Sequence, residues 1–454
     1  MSDNIQPPGN EDSQHSQFSL LRERRFWPLF VTQFWGAFND NAYKNALLVL
    51  VAFGVASSWT SMKPEVLTNF AAGLFILPFF LFSATAGQLA DKFDKARLAR
   101  WVKALEIIII TLAAVGFWLQ SLPVLLTALC LLGLQATLFG PLKYAILPQH
   151  LRANELVGGN ALIEAGTFIA ILLGTLAGGL LAGLDNGIAW IVGLCFIVAL
   201  VGFLASCRIP AAPPPMPELK ISLNPFAEAW RCIGLARREC SVFQSILGIS
   251  WFWAYGALLL TQLPIYTKEV LGGNEKLVTV LLAVFSVGIG AGSLICEKLT
   301  RRRGKVVEPG LVPIGALGMT IFGLDLALGS PASTSGTLQP LTEMLHRGST
   351  WRVFFDLLML GGFGGLYCVP LYALMQQRSQ AEYRARIIAA NNILNALFMV
   401  LIALGASMFL GQGLGIPALF LCAAVLHGIV TAYIFKVVPE FLIRAMIWLG
   451  WRQE

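Results

Sequence analysis

Twelve apolar segments recur along this chain, most of them near or above the ~20 residues that a helix needs to cross a ~30 Å hydrocarbon core. They fall at 27–55, 66–90, 98–118, 122–147, 157–183 and 186–206, then at 241–268, 275–298, 308–329, 350–377, 384–409 and 415–436. In hydrocarbon the backbone N–H and C=O groups of each segment must find partners within it, so such runs fold as helices. The expected fold class is therefore an all-α membrane protein of twelve transmembrane helices. Composition agrees: 13% of residues are charged and 56% hydrophobic, where a soluble chain carries about a quarter charged.

A net charge of +7 does not point to nucleic acid, because the basic residues punctuate the apolar runs instead of clustering on one domain. With the N-terminus inside, 25 of the 32 Lys and Arg fall in cytoplasmic segments, Lys103 among them. Lys63, Lys268, Lys276, Arg347 and Arg352 fall outside, and Lys44 and Lys143 fall within helices. That bias predicts an even number of spans with both termini cytoplasmic. The eight cysteines show no CxxC or metal-like spacing, so no disulfide framework, metal or cofactor is expected. Residues 1–25 read as a disordered polar tail without a cleavable leader. Residues 26–206 then form one six-helix bundle, 207–240 (with AAPPPMP) a cytoplasmic linker, 241–437 a second bundle, and 438–454 an amphipathic cytoplasmic tail.

The halves look related. GPLKYAILPQH followed by GGNALIEAGTFIAILLG in spans 4 and 5 parallels CVPLYALMQQ followed by AANNILNALFMVLIALG in spans 10 and 11. Asn160/Asn391, Glu164/Asn395 and Gly174/Gly405 share one offset, the mark of a parallel repeat about an axis along the membrane normal. Between spans 2 and 3 lies Gly87-Gln-Leu-Ala-Asp91-Lys92-Phe-Asp94-Lys95-Ala-Arg97. It resembles the loop signature of the major facilitator superfamily. The glycine permits close helix approach, and the acid can cap a neighbouring helix or pair with a base, shutting the cytoplasmic side. An ordinary charged loop is the alternative. A degenerate copy, Gly292 to Glu297-Lys298 with Arg301 to Arg303, is expected in the equivalent loop. Small residues four apart, Gly166, Ala170, Gly174 and Gly178 in span 5 and Gly288 and Gly292 in span 8, permit close packing in lipid. The resemblance implies that they form the seam between the halves.

Charges inside the membrane are costly and mark function by default. Asp40, in AFNDNAYKNALL, lies past the midplane with Asn41 beside it and Lys44 one turn on. Asp40 and Lys44 form either a self-satisfied pair or a site for a coupling ion or substrate. Lys143, followed by Tyr144, and Glu164 admit a second pair, structural or functional. Asn160, Asn391, Asn392, Asn395, Gln376 and Gln135 are neutral groups able to line a path, whereas Glu106, Asp325 and Asp356 are without an assigned role. The aromatic cluster Trp251-Phe-Trp253-Ala-Tyr255 suits either packing or a lipid-like ligand.

AFNDNAYKNALL, GPLKYAILP, GGNALIEAGTFIAILLGTLAGG and VPLYALMQQ together resemble the bacterial lysophospholipid transporter family over nearly the whole chain from about residue 26. LTQLPIYTKEVLGGNEKLVTVLLAVFSVGIGAGSLICEKL, GLVPIGALGMTIFGLDL and VVPEFLIRAMIWLGW resemble more closely a subgroup fused upstream of acyltransferase and acyl-activating ligase domains. The resemblance implies inward movement of lysophospholipids across the bacterial inner membrane for re-acylation, with membrane lipids and an acyltransferase partner or fused domain nearby. Sodium or protons are the candidate coupling ions. By position, Asp40, Lys143 and Glu164 match the family's polar residues. Leu259 and Leu260 stand where stand-alone members carry a base, which leaves phosphate recognition to Lys44 or Lys143. The other readings are a symporter for a small metabolite or drug, and a membrane anchor for an acyltransferase. Enzyme activity within these residues is not expected. No acid in a soluble domain follows any histidine at the acyltransferase spacing, and no GxxxxGK[ST] phosphate loop occurs.

Overall fold

The apolar segments fold as twelve long helices, and the computed structural model describes residues 16–52, 64–222, 224–302, 307–331 and 337–451. The first half comprises α1 (Trp27–Ala52), α2 (Pro64–Lys92), α3 (Lys95–Trp118), α4 (Leu122–His150), α5 (Leu156–Ala182) and α6 (Gly187–Ser206). A short α7 (Pro225–Ala236) lies in the linker. The second half comprises α8 (Cys240–Tyr266), α9 (Glu275–Arg302), α10 (Leu311–Leu328), a single turn α11 (Leu341–Met344), α12 (Gly348–Arg378), α13 (Arg384–Gly411) and α14 (Ile416–Val437). The chain then turns into α15 (Glu440–Trp448). Eleven of the described helices are long and apolar enough to cross a membrane. The twelfth long helix, α1, is diluted by Asn39, Asp40, Asn41, Lys44 and Asn45, and packs within the first bundle. Residues 53–55 of the first expected span, with Lys63, Arg303, Lys305 and Arg452, lie outside the described residues.

Related parts of the two halves repeat in detail. A 3-10 turn precedes α5 (Ala153–Glu155) and another precedes α13 (Ala381–Tyr383). The halves meet where α5 lies on α9 and α2 on α13, with α4 against α12 and α13.

The glycine ladders do not make that seam. A Cβ added at Gly174 would lie 2.3 Å from the carbonyl oxygen of Phe38, and one at Gly178 2.2 Å from that of Ala42. Both glycines therefore seat α5 on α1 inside the first half. Gly288 and Gly292 likewise press on the α12 backbone at Leu358 and Gly362. Spacing reports that a backbone comes close, not which one. The degenerate second signature is also not in a loop, because α9 runs through to Arg302.

The ends of the domains are more structured than their polarity suggests. Residues 1–15 lie outside the described residues, but Gln17–Arg22 form a 3-10 helix with Leu20 buried. Arg25 donates to both Glu155 oxygens at 2.6 and 2.7 Å and to the His150 carbonyl at 3.0 Å, fastening this segment to the α4–α5 junction. Asn224 caps α7, its side chain accepting from the Ala227 N–H at 3.0 Å. At the other end Arg378 donates to both Glu440 oxygens, 2.9 and 2.6 Å, so α15 is tied to the end of α12.

Candidate functional site

The end of α2 carries the first constellation. Gly87 faces α13, where an added Cβ would lie 2.8 Å from Ala389 Cβ and 3.0 Å from the Ala385 carbonyl. That proximity brings Asp91, wholly buried, to the first turn of α13. Its carboxylate accepts from the Ala385 N–H at 3.2 Å and from Arg386 Nε at 2.9 Å. The acid therefore meets both the positive end of a helix dipole and a cation from the opposite half. The other signature residues serve the near side. Asp94 caps α3 through the Arg97 N–H at 2.8 Å and accepts from the Ala212 N–H at 3.0 Å. The Lys95 N–H donates to the Ala212 carbonyl at 3.0 Å, pinning the linker. Lys92 lies 5.8 Å from the Phe93 ring centre, and the Arg97 side chain is exposed.

Deeper contacts continue across the same interface. Asn160 and Gln376 exchange two amide hydrogen bonds at 2.7 and 3.0 Å, both residues being fully buried. The Tyr144 ring stacks on Tyr372 with centres 4.4 Å apart, and Trp253 donates to the Tyr372 hydroxyl at 3.0 Å. Phe168 stacks on Trp253 at 5.4 Å. These contacts join α4 and α5 to α8 and α12. Among the described residues α1 and α8 do not pack along one another. The space between the halves is thus sealed toward the basic face.

Midway along α1, the polar residues part into a buried group and an accessible one. Asn39 donates to Glu106 at 2.7 Å and Gln135 donates to it at 3.0 Å, while Lys103 forms an ion pair with the same carboxylate. The side chains of Lys103 and Glu106 are 1% and 0% exposed. Lys103 fits because Gly36 and Gly202 leave room: a Cβ at either would lie within 3.0 Å of its side chain. The Lys and Arg side count places Lys103 among the cytoplasmic anchors, although the apolar span 98–118 contains it. It lies instead two turns into α3, about 12 Å along its axis, and its charge is compensated inside the bundle.

Asp40, Asn41, Lys44 and Lys143 are only half-buried, although all lie well inside long helices. The expected Asp40–Lys44 ion pair is not made. Lys44 Nζ donates to Asn41 Oδ1 at 3.0 Å and lies 5.3 Å from the centre of the Phe75 ring. Asn41, three residues before Lys44, outcompetes the acid four residues before it. Asp40 Oδ1 is left without a hydrogen-bond partner, within electrostatic reach of the Glu106 carboxylate and of Lys103, Lys44 and Lys143. The expected Lys143–Glu164 pair is also indirect. Lys143 Nζ lies 4.7 Å from the Tyr144 ring centre, and the Tyr144 hydroxyl donates to Glu164. In the second half Asn395 accepts from Ser250 at 2.8 Å, whereas neither side-chain atom of buried Asn391 has a partner. Trp251 donates to His427 Nδ1 at 2.8 Å and Tyr255 packs beside the same ring, so those two aromatics serve the core, whereas Phe252 and Trp253 both reach Phe168 across the interface. Asp325, unassigned in the sequence, accepts from Arg352 Nε at 3.0 Å.

Sequence reading found Asp91 but not its partner Arg386, and it missed Lys103–Glu106 altogether. The only local signal for that pair was its i,i+3 spacing. Among the described residues no group of three His, Cys, Asp or Glu could hold a metal ion.

The sequence profile of the Major Facilitator Superfamily matches residues 29–403. A lysophospholipid transporter (LplT) of Pectobacterium carotovorum subsp. carotovorum (strain PC1) is 30% identical, covering 86% of this chain and 89% of its own. The protein of that name from Enterobacter sp. (strain 638) is 28% identical over 91% of this chain and 97% of its own. Among solved structures, the human organic anion transporter MFSD10 superposes with a TM-score of 0.68 at 15% identity, covering 90% of this chain and 99% of that one. The proton:xylose symporter XylE, bound to 6-bromo-6-deoxy-D-glucose, gives 0.67 at 13% identity, covering 91% and 95%. At such identities these two report a shared fold.

Proposed function

We propose, for a chain that belongs to the lysophospholipid transporter family of the major facilitator superfamily, that it carries lysophospholipids such as lyso-phosphatidylethanolamine to the cytoplasmic leaflet of the bacterial inner membrane by alternating access. It is a transporter and not an enzyme. The observation that carries the substrate reading is the half-buried set of Lys44, Lys143 and Asp40, well inside α1 and α4, with both ammonium groups within electrostatic reach of Asp40. Two ammonium groups and one carboxylate are the complement of a phosphate-bearing zwitterionic headgroup, and an apolar surround suits an acyl chain.

In this reading the headgroup phosphate engages Lys143 and Lys44, the headgroup amine engages Asp40, and Tyr144 and Trp253 floor the site. Asp91–Arg386 and Asn160–Gln376 then act as the cytoplasmic gate that must part for release. A coupling sodium ion or proton would fall on Asp40, whose Oδ1 has no donor. The excess of Lys and Arg on one side supports cytoplasmic termini. Re-acylation belongs to an acyltransferase with its acyl-activating ligase, as a partner or a fused domain.

The test is headgroup-resolved uptake of labelled lysophospholipids into proteoliposomes, with and without a sodium gradient. Uptake above protein-free liposomes is expected. Correctly folded protein that moves no lysolipid would refute the assignment.

A further inference from the structure

A cleft of about 500 Å³ opens beside the gate, lined by Gln88, Lys220, Glu228, Trp230, Arg231, Arg238 and Arg386. Four of these side chains are basic and one is acidic. Arg231 lies 3.4 Å from Glu228, and Arg386 is shared with Asp91. Lys220 and Arg238 make no ion pair among the described residues; Arg238 only approaches the Tyr383 ring, at 5.8 Å. The cleft therefore keeps an uncompensated positive charge.

Its outer wall is α7, whose polarity is inverted for a helix facing water. Glu228, Cys232 and Ala236 are buried against the bundle, while Phe226 and Trp230 are 65% and 69% exposed. A surface helix of a soluble domain turns its aromatics inward. Here the Phe226 ring lies 6.4 Å from Phe80, itself exposed on the flank of α2, so the aromatic face continues the lipid-facing surface of the bundle. Aromatics beside Arg and Lys at such a height are the composition of a helix lying in the membrane interface. The cleft then opens at headgroup depth.

We propose that this cleft binds the phosphate headgroup of an anionic phospholipid of the cytoplasmic leaflet, with Phe226 and Trp230 seated against its acyl chains. Arginine forks match phosphate oxygens, and three of the four bases here are arginines. The site straddles the two halves. Gln88 belongs to α2 and is tied to the linker by reciprocal bonds with Ser222 at 2.7 and 3.2 Å, whereas Arg386 belongs to α13. Parting α2 from α13 pulls these walls away from each other. A bound headgroup accordingly favours the state in which the gate is shut, and the lipid acts as a regulator distinct from any transported lysolipid.

The experiment measures retention of phosphatidylglycerol by the full-length protein, using native mass spectrometry from phosphatidylcholine nanodiscs doped with phosphatidylglycerol. Wild type is expected to retain phosphatidylglycerol in preference to phosphatidylcholine. The variant Lys220→Gln/Arg231→Gln/Arg238→Gln should lose that preference by about fivefold per base removed. All three residues are exposed, and monodisperse elution checks folding. A second variant, Phe226→Ala/Trp230→Ala, should weaken retention while leaving the bases in place. Equal retention by wild type and the triple variant overturns the proposal. So does displacement of the lipid by millimolar inorganic phosphate, or indifference to loss of the two aromatics, since both mark a site for a soluble anion. The readout is binding, so it stands or falls separately from lysolipid transport.

Discussion

Replacing Asp91 with alanine removes two contacts that exist only while α2 and α13 lie together: the bond from the Ala385 N–H at 3.2 Å and the charged bond from Arg386 at 2.9 Å. A hydrogen bond to a charged group contributes about 1.5–3 kcal/mol. Asp91 is fully buried, but the Arg386 side chain keeps 13% exposure and a bond to the Glu382 carbonyl at 3.3 Å. The penalty for orphaning the arginine is therefore partial. A loss of about 2–3 kcal/mol from the sealed state alone corresponds to a 30- to 150-fold shift, roughly, in the two-state equilibrium. The assay is electron–electron spin distance measurement between labels at Phe93 and Glu382, both exposed, in a background lacking the exposed Cys207, Cys240 and Cys422. Wild type should give one short distance, and Asp91→Ala should add a longer population. Asp91→Asn, which keeps an acceptor for the Ala385 N–H, should shift it less. Arg386→Ala should reproduce most of the effect, and the double variant should add little to either. An unchanged distribution in Asp91→Ala, or strict additivity in the double variant, would show that the pair does not hold the gate.

Four further outcomes follow from the packing and the buried polar groups. Lys103→Ala strands the Glu106 carboxylate in the bundle and should cost about 3–5 kcal/mol, read as a lowered Tm in detergent; a Tm equal to wild type would contradict the buried pairing. Gly174→Ala and Gly178→Ala should each cost about 1–3 kcal/mol through clashes with the α1 backbone, whereas Gly179→Ala, with nothing within 4 Å of its added Cβ, should be neutral in the same assay. Gln376→Ala leaves the Asn160 side-chain Oδ1 without its donor and should weaken the sealed state by about 1–3 kcal/mol, visible as a second distance between the same spin labels. Arg378 holds the Glu440 carboxyl below the usual carboxylate range, so the stabilisation it gives α15 is full at neutral pH. It is lost only as pH falls below about 4.5 through the lowered folded value; amide exchange in α15 that accelerates between pH 8 and 6 would argue against this.

The helices were legible because each apolar run leaves the backbone no other way to satisfy itself. What stayed hidden depended on partners distant in sequence or on near-equal local choices. Lys44 has Asp40 at i−4 and Asn41 at i−3, and spacing does not rank them; the helix turns the ammonium to Asn41 and Phe75. Lys103 read as a loop anchor because the room for it comes from Gly36 and Gly202, on two other helices. Gly87 and Asp91 announced a contact by residue type, while Arg386 as its recipient required the fold. The ladder on α5 promised a close neighbour and left open whether that was α1 or α9. The linker's prolines hid α7, since its outward aromatics defeat the periodicity expected of a soluble helix.

The most direct test of the account is translocation of lyso-phosphatidylethanolamine into proteoliposomes by wild type and by Lys143→Ala, whose half-buried ammonium is assigned to the headgroup phosphate. The account predicts saturable uptake by wild type and a loss of about tenfold or more in the variant, equivalent to the ~1.5–3 kcal/mol of a charge-assisted contact, with the thermal stability of the protein unchanged. Uptake by Lys143→Ala equal to wild type at matched protein density would contradict it.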